Sequence, residues 1–162
     1  MKLKMEKGGI AQLYAAGSPG EKELLEKIFD RSELTVKVTD RIKTLADACA
    51  ALGIPLSDIQ VKGAPSCFTR DRNSIQAYGE LIIITRALNE GWEPDWTDTN
   101  QLKYTVYLGD YRAGSGFSNA YYDLWYADAS VGSRLCFKSR ELALYAAEQF
   151  KDIYNRFFII NP

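Results

Sequence analysis

The sequence predicts an α+β fold in which about four helices pack with a three-stranded antiparallel β-meander and a long C-terminal helix lies across the sheet. Apolar residues recur at helical spacing before Gly91 and after Ser139, and between these positions they alternate with polar residues, as in half-buried strands. A chain of 162 residues is enough for one domain. We therefore expect residues 1–9 to form a flexible basic tail and residues 10–162 to form a single α+β domain.

Signals for helix starts and ends are concentrated in the first half of the chain. Ser18–Glu21 reads Ser-Pro-Gly-Glu, a capping box with proline at the first helical position, and predicts a helix that ends near Arg31. Thr39 is expected to cap a second helix, which ends at Gly53. Between these helices, Leu34–Val38 alternates apolar and polar residues, which predicts a short strand.

A third helix is expected to begin at a capping box formed by Asn73 and Gln76 and to end at Gly91. Its apolar run Leu81–Ile84 covers more than one face, which predicts burial on two sides. Gly79 weakens such a helix by up to about 1 kcal/mol relative to alanine. We interpret this glycine as the mark of another backbone crossing close by.

Three short strands and a final helix are predicted in the second half. The strands are Leu102–Leu108, Tyr121–Ala127 and Arg134–Phe137, with a loop at Gly109–Gly116 between the first two. Short connections between neighbouring strands favour an antiparallel meander. Ser139 then caps a helix whose apolar spacing continues to the end of the chain, and this is the long C-terminal helix.

The amino-acid composition excludes several kinds of catalytic and metal-binding site. The chain contains no histidine, which excludes a histidine general base, a Ser-His-Asp or Cys-His nucleophile pair and a histidine-ligated zinc site. Cys49, Cys67 and Cys136 lie far apart with no CxxC spacing, which favours buried free thiols in a reducing compartment. No apolar run approaches the length of a membrane span, and the first residues lack the features of a secretory signal. We expect a cytoplasmic protein that does not contact membranes, with no catalytic residue, cofactor or metal site.

Aromatic residues are unusually dense between Trp92 and Tyr126. Most large apolar side chains are buried, so we favour burial for the tryptophan pair and for the second face of the sheet. An exposed patch of such rings would instead mark a binding surface. The candidate binding surface comprises Trp92, Trp96, Tyr107, Arg112, Tyr121 and Trp125.

Two stretches in the second half of the chain resemble a known family. They are RALNEGWEPDW at residues 86–96 and YYDLWYADASVGSRLCFKSRELALYAAEQFKDIYNRFF at residues 121–158. Together they resemble short uncharacterised proteins from gut anaerobic bacteria and their bacteriophages or prophages, and the resemblance covers most of the chain after Thr39. That family has no established activity and so implies no catalytic residue. It implies an accessory protein of a mobile element, in the host cell cytoplasm if a phage encodes it.

The favoured function is a non-enzymatic binding protein that acts through contacts with a protein partner or with a second copy of the chain. An alternative is a single-stranded nucleic-acid-binding protein in which bases stack on the meander and Lys103, Arg112 and Arg134 meet phosphates. The balance of 20 basic and 21 acidic residues, and the net acidic character of the aromatic section, oppose that alternative.

A second alternative is a small metal-dependent enzyme that uses carboxylates. Glu93, Asp95 and Asp98 could hold a hard cation such as magnesium, which prefers oxygen ligands. Asp123 and Asp128 could form a carboxylate pair for acid–base chemistry, although nothing in the sequence places them across a cleft. A solvated acidic loop explains the first group equally well.

Overall fold

The computed structural model describes residues 7–59, 71–112, 116–126 and 132–159. The chain divides into two compact units, Met1–Arg41 and Ile42–Pro162. The first helix begins at Lys7, so it overlaps the end of the predicted basic tail. The expectation of one domain over residues 10–162 stays a prediction.

The first unit contains four helices in its described residues, two of them a single turn long. They are α1 (Lys7–Ala16), α2 (Pro19–Ile28), α3 (Arg31–Leu34) and α4 (Val38–Arg41). The predicted capping box is present at the start of α2, where the Ser18 amide donates a 2.8 Å hydrogen bond to Glu21. These bonds from Ser18 hold the pKa of the Glu21 carboxyl below its usual value.

The predicted strand at Leu34–Val38 is wrong, because Leu34 ends α3 and Val38 begins α4. Asp30 and Glu33 supply the reason: the Asp30 amide donates to the Glu33 carboxylate at 3.1 Å, which is a second capping box. A cap of this kind favours a helical turn over an alternation of only five residues.

The second unit begins with α5 (Leu45–Leu52). Thr44 caps it by accepting a hydrogen bond from the Asp47 amide at 3.1 Å, so the predicted cap at Thr39 is wrong. The predicted end is confirmed, since Gly53 adopts the left-handed conformation with φ 65°. A 3-10 helix, Leu56–Ile59, follows.

Helix α6 (Arg72–Asn89) is the longest described helix, and its N-cap is Asp71, so the predicted cap at Asn73 is two residues too late. Gln76 donates to Glu80 at 3.1 Å instead of capping the helix. The end is close to the predicted one, with Glu90 in the left-handed region at φ 50°. Among the described residues, nothing outside α6 lies within 4 Å of where a β-carbon at Gly79 would be, so none of them provides the expected backbone crossing.

Strands β1 (Lys103–Arg112) and β2 (Gly116–Trp125) form an antiparallel hairpin. Tyr104 on the other side of β1 exchanges two hydrogen bonds with Phe137, of 3.1 and 2.7 Å. This bridge supplies the third strand, and the predicted α+β class with a three-stranded antiparallel sheet is confirmed. The third strand lies beside β1 and not beside β2, and it is one residue long because Ser133–Leu135 forms a 3-10 helix.

The predicted loop from Gly109 is shorter than expected, because β1 continues to Arg112. The predicted long C-terminal helix is two helices, α7 (Arg140–Gln149) and α8 (Lys151–Phe158). Ser139 caps α7 as expected, accepting from the Leu142 amide at 3.4 Å. The helix is interrupted at Phe150, a non-helical residue that is buried in the core at 4% exposure.

Helix α7 packs on both strands of the hairpin, while α8 packs on α6. Glu80 on α6 is buried and forms an ion pair with Arg156 of α8, which joins these two helices. Tyr78 of α6 also stacks on Phe157 with ring centres 5.7 Å apart. The C-terminal helices therefore lie across the sheet and tie it to α6. Among the described helices, none is both long enough and apolar enough to cross a membrane.

Candidate functional site

Two of the predicted site residues meet on one face of the hairpin. Tyr107 on β1 pairs directly with Tyr121 on β2, and their ring centres are 6.3 Å apart. The rings remain 59% and 47% exposed, so this face of the sheet is not part of the core. The preference for burial is therefore wrong at these two positions.

The aromatic surface continues toward the tip of the hairpin. Tyr111 lies four residues along β1 from Tyr107, on the same face, and is 55% exposed. It packs edge-on against Phe117 at 5.5 Å, and Phe117 packs against Phe158 of α8 at 6.1 Å. We call Tyr107, Tyr111 and Tyr121 the tyrosine face.

A small cleft of about 180 Å³ lies beside the tyrosine face. Thr105 and Tyr107 of β1, Phe117 and Asp123 of β2, and Phe158 of α8 line it. Its lining is mainly apolar, with one carboxylate among the lining groups. The cleft has room for a single side chain of a partner, and it is too small for a drug-sized ligand.

Gly109 explains how Tyr121 is positioned. A β-carbon at Gly109 would lie 3.0 Å from Cε2 of the Tyr121 ring, so the ring covers the bare backbone of this glycine. An aromatic ring across a strand glycine is a known device for stabilising a sheet. The strand therefore tolerates a glycine at this position because the Tyr121 ring from β2 packs over it.

Arg112 is exposed at the end of β1, where it pairs with Gly116. Trp125 pairs with Lys103 through its backbone at the opposite end of the hairpin, and its side chain lies outside the described residues. These two residues therefore mark the two ends of the hairpin that carries the tyrosine face.

Trp92 and Trp96 lie in the loop after α6 and are half-buried. The indole nitrogen of Trp96 donates to the Ser133 hydroxyl at 2.6 Å, and the Lys103 ammonium lies 5.5 Å from the centre of its ring. Trp96 is therefore a half-buried residue with structural contacts, in line with the hypothesis that favoured burial of the tryptophan pair. Because Lys103 is four residues from Tyr107, Trp96 lies about 13 Å along β1 from the tyrosine face.

Lys103 has a role that the sequence did not indicate. It is fully buried, and its ammonium donates to the backbone carbonyls of Asp98 at 2.8 Å and Tyr126 at 3.0 Å. The predicted contact of this lysine with phosphate is wrong, because its ammonium group already donates to these carbonyls and is covered by the Trp96 ring. Lys103 begins β1 directly after an exposed acidic loop, and nothing in this part of the sequence indicates that its side chain is buried.

The acidic loop uses its carboxylates for its own turns. Asp95 accepts from the Thr97 amide at 2.8 Å and from the Thr97 hydroxyl at 2.6 Å, and these bonds hold its pKa below the usual value. Asp98 accepts from the Asn100 amide at 2.8 Å. Within the described ranges, no three or more acidic or cysteine side chains are grouped to hold a metal ion.

The other chemical candidates have local explanations where they are described. Asp123 accepts from the Leu124 amide at 2.8 Å, and its predicted partner Asp128 lies outside the described residues. Cys49 and Cys136 are buried free thiols, and burial raises the pKa of Cys136 to about 11. Cys67 lies in the part of the chain that is not described.

No family model, curated protein or solved structure matches this chain. The resemblance to short phage and prophage proteins therefore rests on the two quoted stretches alone. The function has to be argued from the side chains that the fold brings together.

Proposed function

We propose that this chain is a non-enzymatic binding protein whose tyrosine face holds a protein partner. One observation carries the proposal: Tyr107, Tyr111 and Tyr121 are 59%, 55% and 47% exposed at neighbouring positions of one sheet face. Large aromatic side chains are normally buried, and contiguous exposed ones mark interaction surfaces.

Tyrosine suits protein contacts for physical reasons. Its ring offers a large apolar area, its hydroxyl can hydrogen-bond at the rim, and only two side-chain torsions lose freedom when it binds. The cleft beside Tyr107 could receive one apolar side chain of the partner between Phe117 and Phe158. Aromatic anchors of this kind dominate the affinity of protein interfaces.

Charge favours a protein over single-stranded nucleic acid as the partner. Lys103 is engaged by two carbonyls at the open end of the hairpin, while Arg112 is exposed at its tip. Exposed Asp110 and Asp123 lie on the same two strands. Since most non-specific affinity for nucleic acid comes from neutralised phosphates, this charge balance opposes such binding.

The metal-enzyme alternative has less support. Asp95 and Asp98 accept hydrogen bonds from neighbouring residues of their own loop. A metal ion would have to replace these bonds at the expense of the turns that they stabilise.

Site-specific crosslinking tests the proposal. Tyr107 and Tyr121 are replaced one at a time by p-benzoylphenylalanine, in cells of the organism that encodes the chain. Both positions should form a covalent adduct with the same protein. Leu56 is the matched control, because it is 53% exposed in the same unit but lies on a 3-10 helix away from the sheet.

An adduct with a second copy of the chain would assign the surface to a homo-oligomer, which is also a protein contact. An adduct with nucleic acid, equal adducts at position 56, or none at 107 and 121 would overturn the proposal. The Y107S/Y121S double variant should weaken the affinity for the partner by at least about thirtyfold, since an interface hot spot contributes about 2 kcal/mol or more.

We also propose that the protein is an accessory factor of a phage or other mobile element and works in the host cytoplasm. The support for this context is the resemblance of residues 86–96 and 121–158 to proteins of that kind. Identification of the crosslinked partner as a host or phage cytoplasmic protein would test it.

A further inference from the structure

A second cleft, separate from the tyrosine face, lies where α6 ends. It measures about 360 Å³, within the range of pockets that hold small molecules. Thr85 and Arg86 of α6, Trp92 and Glu93 of the following loop, and Ser133 and Arg134 of the 3-10 helix line it.

The walls of this cleft are fixed by hydrogen bonds. Asn89 is buried and joins α6 to the segment after the 3-10 helix, donating to the Cys136 carbonyl at 2.8 Å and accepting from the Lys138 amide at 3.1 Å. The Trp92 amide donates to the Asn89 carbonyl at 3.0 Å, which holds the tryptophan at the helix end. A site held in this way needs little reorganisation to accept a ligand.

Thr85 is the unexplained residue of the cleft. It is 2% exposed, and its hydroxyl oxygen has no hydrogen-bond partner among the described residues. A helical threonine could bond to a carbonyl of the preceding turn, but this one does not. The oxygen has almost no accessible surface, so it lies inside the wall of the cleft and not in the space open to a ligand.

The charged residues that line the cleft favour an anionic ligand. Arg86 and Arg134 come from different elements, both are exposed, and neither forms an ion pair within the described ranges. Glu93 is the acidic residue among the lining groups. Guanidinium groups are the preferred donors to phosphate and carboxylate oxygens.

We propose that this cleft binds a small phosphate ester that carries a planar ring, of the mononucleotide class. Arg86 and Arg134 bind the phosphate, the Trp92 ring stacks on the planar group, and the Glu93 carboxylate accepts a hydrogen bond from a hydroxyl or amino group of the ligand. Thr85 forms part of the wall. This site is independent of the tyrosine face.

Titration calorimetry of the full chain tests the site with adenosine monophosphate, uridine monophosphate, adenosine and inorganic phosphate as probes. Both nucleotides should bind, and adenosine and phosphate should each bind at least tenfold more weakly. R86A and R134A should each weaken nucleotide binding at least tenfold. R72A is the matched control, because it removes the same charge from the other end of α6, about 21 Å away.

T85V keeps the shape of the side chain and gives a second readout. It should leave nucleotide binding nearly unchanged and raise the thermal unfolding midpoint, because it removes a buried hydroxyl that has no partner among the described residues and keeps both arginines. No nucleotide binding at millimolar concentration, phosphate binding as tight as that of the nucleotides, or equal losses for R72A and R134A would overturn the proposal.

Discussion

Lys103 carries the most unusual contacts of any single residue in the described part of the chain. Its side chain is fully buried at the start of β1, and it donates to two carbonyls that belong to two different segments. One is Asp98 in the loop before β1, and the other is Tyr126 at the end of β2. The Trp96 ring covers the same ammonium group at 5.5 Å, which adds a cation–π contact. A single cation thus holds the loop, the indole and the open end of the hairpin together.

The K103M variant should lower the free energy of unfolding by about 1–3 kcal/mol, because the carbonyls of Asp98 and Tyr126 lose a charged donor while the apolar stem is kept. Urea unfolding followed by circular dichroism measures the change. R72M is the control, since Arg72 is exposed and should tolerate the same substitution within about 0.5 kcal/mol. Equal or greater stability of K103M would mean that burying the charge costs more than its bonds return.

At the scale of elements, a glycine in α6 and a glycine in the hairpin have opposite effects on stability. Gly79 lies inside α6, and no described residue outside this helix comes within 4 Å of where its β-carbon would go. Gly116 starts β2 with φ 73°, and a β-carbon there would come within 2.8 Å of the Asn155 side chain. The first glycine only weakens its helix, whereas the second is required by both its conformation and its neighbour.

G79A should raise the free energy of unfolding by about 0.5–1 kcal/mol, since alanine has the higher helix propensity and no clash occurs. G116A, measured beside it by urea unfolding, should lower that free energy by at least about 1 kcal/mol. A loss of stability in G79A would show that α6 has a neighbour at this position which the described residues do not contain.

Caps are local, and the sequence predicted three helix termini correctly, whereas the predicted caps at Thr39 and Asn73 are wrong. Ser18, Gly53 and Ser139 each act through residues within a few positions, and all three have the predicted role. Features that depend on distant packing were missed. The break at Phe150 does not interrupt the helical spacing, since Ala146, Phe150 and Tyr154 are all buried, so the spacing alone could not reveal it.

The candidate site was predicted only in part for the same reason. Alternation placed Tyr107 and Tyr121 on strands, and the register makes them a cross-strand pair. Tyr111 was assigned to a loop, although it continues the two-residue spacing from Tyr107. The sequence grouped Trp92 and Trp96 with these tyrosines, but the structure places them apart, and this separation was not predictable because the position of Trp96 depends on its contacts with Ser133 and Lys103.

At the scale of the whole molecule, the unit Ile42–Pro162 has its own core. Helices α5 to α8 and the hairpin contribute its buried side chains, and Leu81, Ile84, Leu88 and Phe137 are fully buried there. A unit of this size with an apolar core and both helices and a sheet meets the requirements for independent folding.

A fragment that begins at Ile42 should therefore fold alone and unfold cooperatively. Thermal denaturation followed by near-ultraviolet circular dichroism would show a single transition and fixed aromatic side chains. The fragment should also keep the crosslinks at positions 107 and 121, since the tyrosine face lies within it. A fragment without a cooperative transition would show that residues 1–41 complete the core.

The interruption at Phe150 divides residues 140–158 into two short helices with different neighbours. One packs on the hairpin and the other on α6, and the buried Phe150 ring lies between them. The same stretch of chain therefore supports both surfaces proposed to bind ligands, because the tyrosine face belongs to the hairpin and the second cleft lies at the end of α6.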